Sequence, residues 1–532
     1  MWLKSDNIYT TSIAVGTVSG IICVAFRYTV AQATSIRPLL FNHNNAPIAH
    51  FGVFCSIYIA LLITRILILK YPKISGSGLP QTQSLIFGKR VYNKPFLYLW
   101  VKFIGGVLTL CSGLSLGREG TSVQMGSLIG YTTGNLFKTG EGKKRHLIAA
   151  GAGAGVAAAF TAPLSSSILI MESLQRVTIS TTIICTLLAG SVAGIISKLL
   201  TPYNIYGTIP VASPETPLTI LLPIFLIMSL FFALFGKLFS NMLLKGKDLY
   251  ARWKLKMESH NSRSAIFKEV FILAAATWTM GLFFTDMIGG DQTFLVRESV
   301  INTFLAHNIA DSRSITSLIN IVILFAVTIA IWSFTILSHS SGFPGGIFLP
   351  MMTVGGLLGK LFYDILCFIS GTGLIGGELD GYFILLGMSA FFIAVMRTPI
   401  TGFILISEMT NHYETFFPTL IIGTLVYYFT QLLNVKPLNS MLYDFMIAHD
   451  SKEPALTTIY IDIEEKSYLN GLNVNKLSLP DGCTLKEITR NKKSIPITAS
   501  QTILKGDQIG IEINSNDIEK VYRSIITLGS EY

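Results

Sequence analysis

The chain has 532 residues, 51% of them apolar and only 13% charged, with a mean hydropathy of +0.56. Soluble domains carry about 25% charged residues, so this chain has too little polar surface to coat itself, and its large apolar side chains exclude disorder. The net charge of +10 then reads as basic residues kept in cytoplasmic loops, not as a nucleic-acid surface, and the fold class that remains is an all-α polytopic membrane protein.

In chain order, an apolar segment at 10–32 follows a short polar start with no small-residue cleavage site, which predicts a retained first helix rather than a signal peptide. Further clear apolar segments lie at 49–70, 178–200, 216–240, 266–290, 316–337 and 416–433. Between them run shorter stretches, at 97–116, 121–136, 147–172, 346–370 and 380–408, broken by glycine, proline and single charges. Such broken segments predict half-helices ending within the membrane, where irregular backbone is tolerated only around a cavity. Basic clusters at Lys143-Lys144-Arg145 and from Lys245 to Lys256 suit cytoplasmic loops. Six scattered cysteines without a CxxC pair give no disulfide framework and no zinc site. No GxxxxGK[ST] loop is present, which disfavours ATP-driven transport, and neither catalysis nor a metal or other cofactor is expected.

An internal repeat aligns Gly151–Glu172 with Gly387–Glu408 without a gap. Gly151/Gly387, Ala154/Ala390, Ala158/Ala394, Pro163/Pro399, the Ile-Leu-Ile runs from Ile168 and Ile404, and Glu172/Glu408 coincide. Two related halves with broken helices are a transporter architecture.

Three glycine-punctuated motifs carry the chemistry: Gly76-Ser77-Gly78-Leu79-Pro80, Gly117-Arg118-Glu119-Gly120-Thr121, and Gly345-Gly346-Ile347-Phe348-Leu349-Pro350. Each reads as a sharp turn into a helix start, where unpaired N–H groups and a partial positive charge hold an anion without a full counter-charge. Glu119 stands out among them. A carboxylate inside an apolar segment marks an ion or proton pathway, and at a helix N-terminus it competes with the ion for the same N–H groups.

These motifs, with VKFIGG at 101–106 and TAPLSSSILIME at 161–172, closely resemble the CLC family of chloride channels and proton/chloride exchangers, over about residues 10–445. The resemblance implies an inverted-repeat fold of many short helices, working as a homodimer in the plasma membrane of a prokaryote with one pathway per subunit. It implies Glu119 as the gate and proton carrier, with Ser77, Gly78, Arg118, Gly120, Ile347, Phe348 and Asn439 around the anion. The sequence departs from the family pattern at three of its positions. Thr121 replaces a usual proline, as in fluoride exporters, although the retained Ser77 favours chloride over fluoride and nitrate. Ser173 stands where exchangers place an inner proton-relay glutamate, and Asn439 stands where a tyrosine is usual. The function expected is proton-coupled chloride transport with weak or variable coupling; a passive chloride channel and a fluoride/proton antiporter are the alternatives.

From Ser451 onward the composition changes, with 21 charged residues in the last 82. Alternating residues around Thr457–Ile463 and turns at Pro480-Asp481-Gly482 and Lys505-Gly506-Asp507 predict a small soluble α/β domain over 451–532 behind a transport domain over 1–450. The tail resembles the TrkA C-terminal domain, which implies a cytoplasmic, dimerising module able to take a small-molecule ligand.

Overall fold

A computed structural model describes residues 7–41, 47–175, 180–201, 211, 217–258, 262–283, 315–370, 379–450, 457–463, 467–477, 479, 483–490, 493–498 and 500–513. The start up to residue 6 and the turn expected at 480–482 lie outside them.

The described body is helical throughout: α1 (Ile8–Phe41), α2 (Pro47–Lys70), α3 (Leu79–Ile86), α4 (Pro95–Ser112), α5 (Glu119–Leu136), α6 (Glu141–Phe160), α7 (Pro163–Leu169) and α8 (Ser180–Leu200). It continues through α9 (Leu218–Glu258), α10 (Ser262–Phe283), α11 (Ile315–Ser340), α12 (Phe348–Ser370), α13 (Asp380–Met396), α14 (Pro399–Thr410), α15 (Phe416–Leu432) and α16 (Leu438–Asp450). Among the described residues, eight helices are long and apolar enough to cross a membrane. They expose large apolar side chains such as Phe51, Ile195, Leu199 and Ile227, a surface that water would not tolerate and lipid covers. Behind this belt sit α3, α5, α6 and α13, whose side chains are almost all buried. The Gly/Ala-rich face of α6 lets it press against α5 and α8, because small residues bring backbones close where no hydrophobic drive separates helix from lipid.

The two halves mirror each other where the repeat predicts. Thr161 (φ 57°, ψ 36°) ends α6 and Arg397 (φ 56°, ψ 41°) ends α13, at matching positions of the repeat. Ala162 and Thr398 then leave the helical region (φ −128° and −121°), and Pro163 and Pro399 open α7 and α14. The cause is local: proline drives its predecessor out of the α region but suits the first helical position. The halves also cap one another reciprocally. Glu172 accepts from the N–H groups of Ile400 (3.2 Å) and Thr401 (2.8 Å) at the start of α14. Glu408 accepts from those of Leu164 (3.1 Å) and Ser165 (2.8 Å) at the start of α7. Reciprocal contacts of equivalent residues are the mark of a two-fold relation. The symmetry is broken after α7: the chain continues as a π-helical turn, Ile170–Gln175, whereas α14 runs regularly to Thr410 and ends at Asn411 (φ 61°).

The tail forms one antiparallel sheet in the order β1-β4-β2-β3, with β1 (Thr457–Asp462), β2 (Cys483–Arg490), β3 (Lys493–Ile495) and β4 (Gln508–Ile513). Gly506 (φ 84°) makes the turn into β4, and β1 lies against α6. Fully buried Asp507 holds the corner by accepting from Arg490 Nε (2.6 Å), Arg490 Nη2 (2.7 Å) and the Leu504 N–H (2.8 Å).

Candidate functional site

The three glycine-rich motifs, far apart in the chain, meet at one point. Gly117 and Gly346 exchange both backbone hydrogen bonds, at 2.8 and 2.6 Å, as an isolated antiparallel bridge. The Gly76 N–H donates to Gly342 O (2.9 Å), and the Ser75 hydroxyl donates to the same carbonyl (2.7 Å). Gly78 turns the first motif into α3 at φ 91°, and its N–H donates to Gln81 Oε1 (2.9 Å). A side chain there would be strained and would overlap the Gly120 carbonyl, so the first two motifs touch backbone to backbone. Beneath the first motif, the fully buried Lys102 of α4 donates to the carbonyls of Ile74 (2.7 Å) and Gly76 (2.9 Å).

Glu119 is the first residue of α5 and is fully buried. Its Oε1 accepts from the N–H of Phe348 (2.7 Å) and of Leu349 (3.3 Å), the opening residues of α12. Its Oε2 has no hydrogen-bond partner among the described residues. The carboxylate therefore sits on the partial positive end of α12, the kind of seat a free anion takes. Gly346 leaves the space for it: a Cβ on that residue would lie 2.6 Å from the Glu119 Cδ. Ser77, Gly78, Arg118, Gly120 and Ile347 are all placed around this junction, and Ser77, Arg118 and Ile347 are buried. The second amide on the carboxylate comes from Leu349, a residue the sequence reading did not single out, while Phe348 is one of the two it did.

The other end of α3 forms a second polar cluster. Asn439, the second residue of α16, donates through Nδ2 to Gln83 Oε1 (3.1 Å) and to the Ser173 carbonyl (3.1 Å). Ser173 lies in the π-helical turn, and its hydroxyl is buried without a partner among the described residues. Asn439 and Ser173, distant in sequence, are thus joined directly. Gln83 joins them from α3. Neighbouring Glu172 points elsewhere, onto α14, which accounts for that carboxylate as a helix cap.

Two residues of this arrangement escaped sequence reasoning although signals existed. Lys102 is an isolated cation in an apolar run, which by default marks a structural or functional demand. Gln83 is the fifth residue of the short helix that opens just after Ser77, so it sits about 6 Å along that helix from Leu79.

Comparisons with known proteins bear on the family and the fold. The family described as voltage gated chloride channel matches residues 60–431. The H(+)/Cl(-) exchange transporter ClcA of Vibrio cholerae is 31% identical over 382 residues, covering 70% of this chain and 74% of the relative. Among solved structures, a slow cyanobacterial Cl-/H+ antiporter superposes with a TM-score of 0.70 at 25% identity, covering 83% of this chain and 98% of the other. A eukaryotic CLC transporter (TM-score 0.65, 18% identity, 90% and 82% covered) and a CLC-type fluoride/proton antiporter (0.58, 21%, 79% and 94%) share the fold. With the family match spanning well over half of the sequence, and with the helix-start junction built around Glu119, the chain belongs to the voltage gated chloride channel, or CLC, family.

Proposed function

We propose that this protein exchanges chloride for protons across the membrane, with Glu119 as the gate. The observation that carries the reading is the Glu119 carboxylate on the Phe348 and Leu349 amides. An ionised carboxylate and a chloride ion want the same N–H groups, so they occupy that seat in turn. Protonation removes the charge that binds the side chain to the helix end, the side chain yields the seat, and the anion enters. When the proton leaves, the carboxylate returns and expels the ion. The partial charges of the helix-start amides hold the anion weakly enough to release it. Ser77, at the turn into α3, adds a neutral hydroxyl donor suited to a large, weakly hydrated anion.

The finer reading follows the family resemblance. Residues 1–450 form the transport domain and 451–532 a cytoplasmic regulatory domain of the TrkA-C kind, in a homodimer of the prokaryotic plasma membrane. The protein is a transporter and carries out no covalent chemistry. Reconstitution into liposomes with chloride and pH recorded together tests the assignment. Chloride-driven proton movement is the expected result; chloride flux with protons at rest makes the protein a channel, the alternative that Ser173 at the relay position allows.

A further inference from the structure

We infer that Gln83 is a positioning residue: it seats a water molecule between α3, the π-helical turn and α16, and this water carries protons past Ser173. The inference rests on the exchanger reading but stands on its own geometry. The Ser173 carbonyl can only accept, so Asn439 must turn its NH2 toward it. The same Nδ2 lies 3.1 Å from the Gln83 amide, so Gln83 must answer with its oxygen. Both side-chain amides are thereby fixed in orientation, and each is left with one buried atom unused. Gln83 Nε2, an obligate donor, and Asn439 Oδ1, an obligate acceptor, have no partner among the described residues, and neither has the Ser173 hydroxyl. Gln83 is 0% exposed, and Asn439 and Ser173 are each 2% exposed.

Buried polar atoms left unpaired are costly, and a cluster of them is the setting in which ordered water is kept. The mixture decides what fits. An anion would meet the Gln83 donor but be repelled by the Asn439 oxygen. Water both donates and accepts, so it suits the Gln83 donor, the Asn439 acceptor and the Ser173 hydroxyl alike. Such a water can also pass a proton, which neither amide nor the serine hydroxyl does alone at neutral pH. The break in two-fold symmetry falls here: the π-helical turn presents Ser173, whereas its repeat mate is Met409 in regular α14.

Two readouts test this. The first is a high-resolution structure of the full-length protein, with and without bromide soaking, for the wild type and for Gln83→Leu. A water peak within hydrogen-bond distance of Gln83 Nε2, without anomalous signal and lost in the variant, is expected. No peak, or a bromide peak, overturns the proposal. The second is the proton-to-chloride ratio in liposomes. Gln83→Leu should lower proton movement about tenfold, the value of one hydrogen bond to the carrier, while chloride flux stays within about twofold. Equal loss of both fluxes, or an unchanged ratio, overturns it. Gln83→Met, unbranched and flexible, serves where the leucine variant does not fold. A wild type that moves no protons overturns the exchanger reading and the proton-carrying role together, and the density then decides the water seat by itself.

Discussion

At the scale of single residues, the proposed gate rests on the Glu119 carboxylate held by the Phe348 (2.7 Å) and Leu349 (3.3 Å) amides, and its charge is what would make those bonds competitive with chloride. Glu119→Gln keeps the shape and removes the charge. Chloride flux should persist in this variant, lose its pH dependence and carry no protons, measured as parallel chloride and pH traces; proton movement at the wild-type ratio would remove Glu119 from the gate. Selectivity belongs to the same scale. The neutral Ser77 hydroxyl should give chloride flux well above fluoride flux, and Ser77→Pro should shift preference toward nitrate in anion-replacement assays. Fluoride moving faster than chloride would support the fluoride reading that Thr121 suggests. Glu119 was legible in the sequence because a carboxylate in an apolar run between glycines has few explanations. Leu349 was not, because backbone amides carry no sequence signature, and for Gln83 only its place on the helix after the first motif was readable, not its distant partner, Asn439.

At the scale of elements, the internal repeat was readable, and so was the interruption of each repeated segment, since Pro163 and Pro399 dictate it through their predecessors. The reciprocal capping of α7 by Glu408 and of α14 by Glu172 was not readable, as it depends on how the halves face each other. Nor was the π-helical turn, for which the sequence offers no distinguishing residue. The caps lead to a prediction that separates structure from transport. Glu172→Ala and Glu408→Ala each leave two N–H groups of a helix start unserved and should each cost about 1–2 kcal/mol, seen as a lower unfolding temperature in detergent. The proton-to-chloride ratio should stay unchanged in both. A collapse of proton movement in Glu172→Ala alone would instead make that carboxylate part of the proton route.

At the scale of the whole molecule, composition alone identified a membrane protein, and the motifs identified where the chain must converge. The tail was legible as strands and turns because alternation and Lys505-Gly506-Asp507 are local signals. The strand order β1-β4-β2-β3 was not, because β1 and β4 pair from opposite ends of the described tail. The corner at Asp507 predicts how separable the tail is. Asp507→Ala leaves Arg490 only its bond to the Thr502 carbonyl and leaves the Leu504 amide unserved, and should cost about 2–3 kcal/mol in a small sheet that has little to spare. The tail should then become protease-sensitive while chloride flux continues, because no residue of the Glu119 junction lies in the sheet. Flux that disappears with the tail would instead bind the two parts into one functional unit.

The most direct test imposes a chloride gradient across sealed proteoliposomes, holds the voltage near the proton equilibrium potential and records internal pH. The account predicts proton movement against its own gradient, small in size and absent in Glu119→Gln, whose chloride flux continues. Robust chloride flux with no uphill proton movement in the wild type would contradict it, and would make Glu119 the gate of a passive pore.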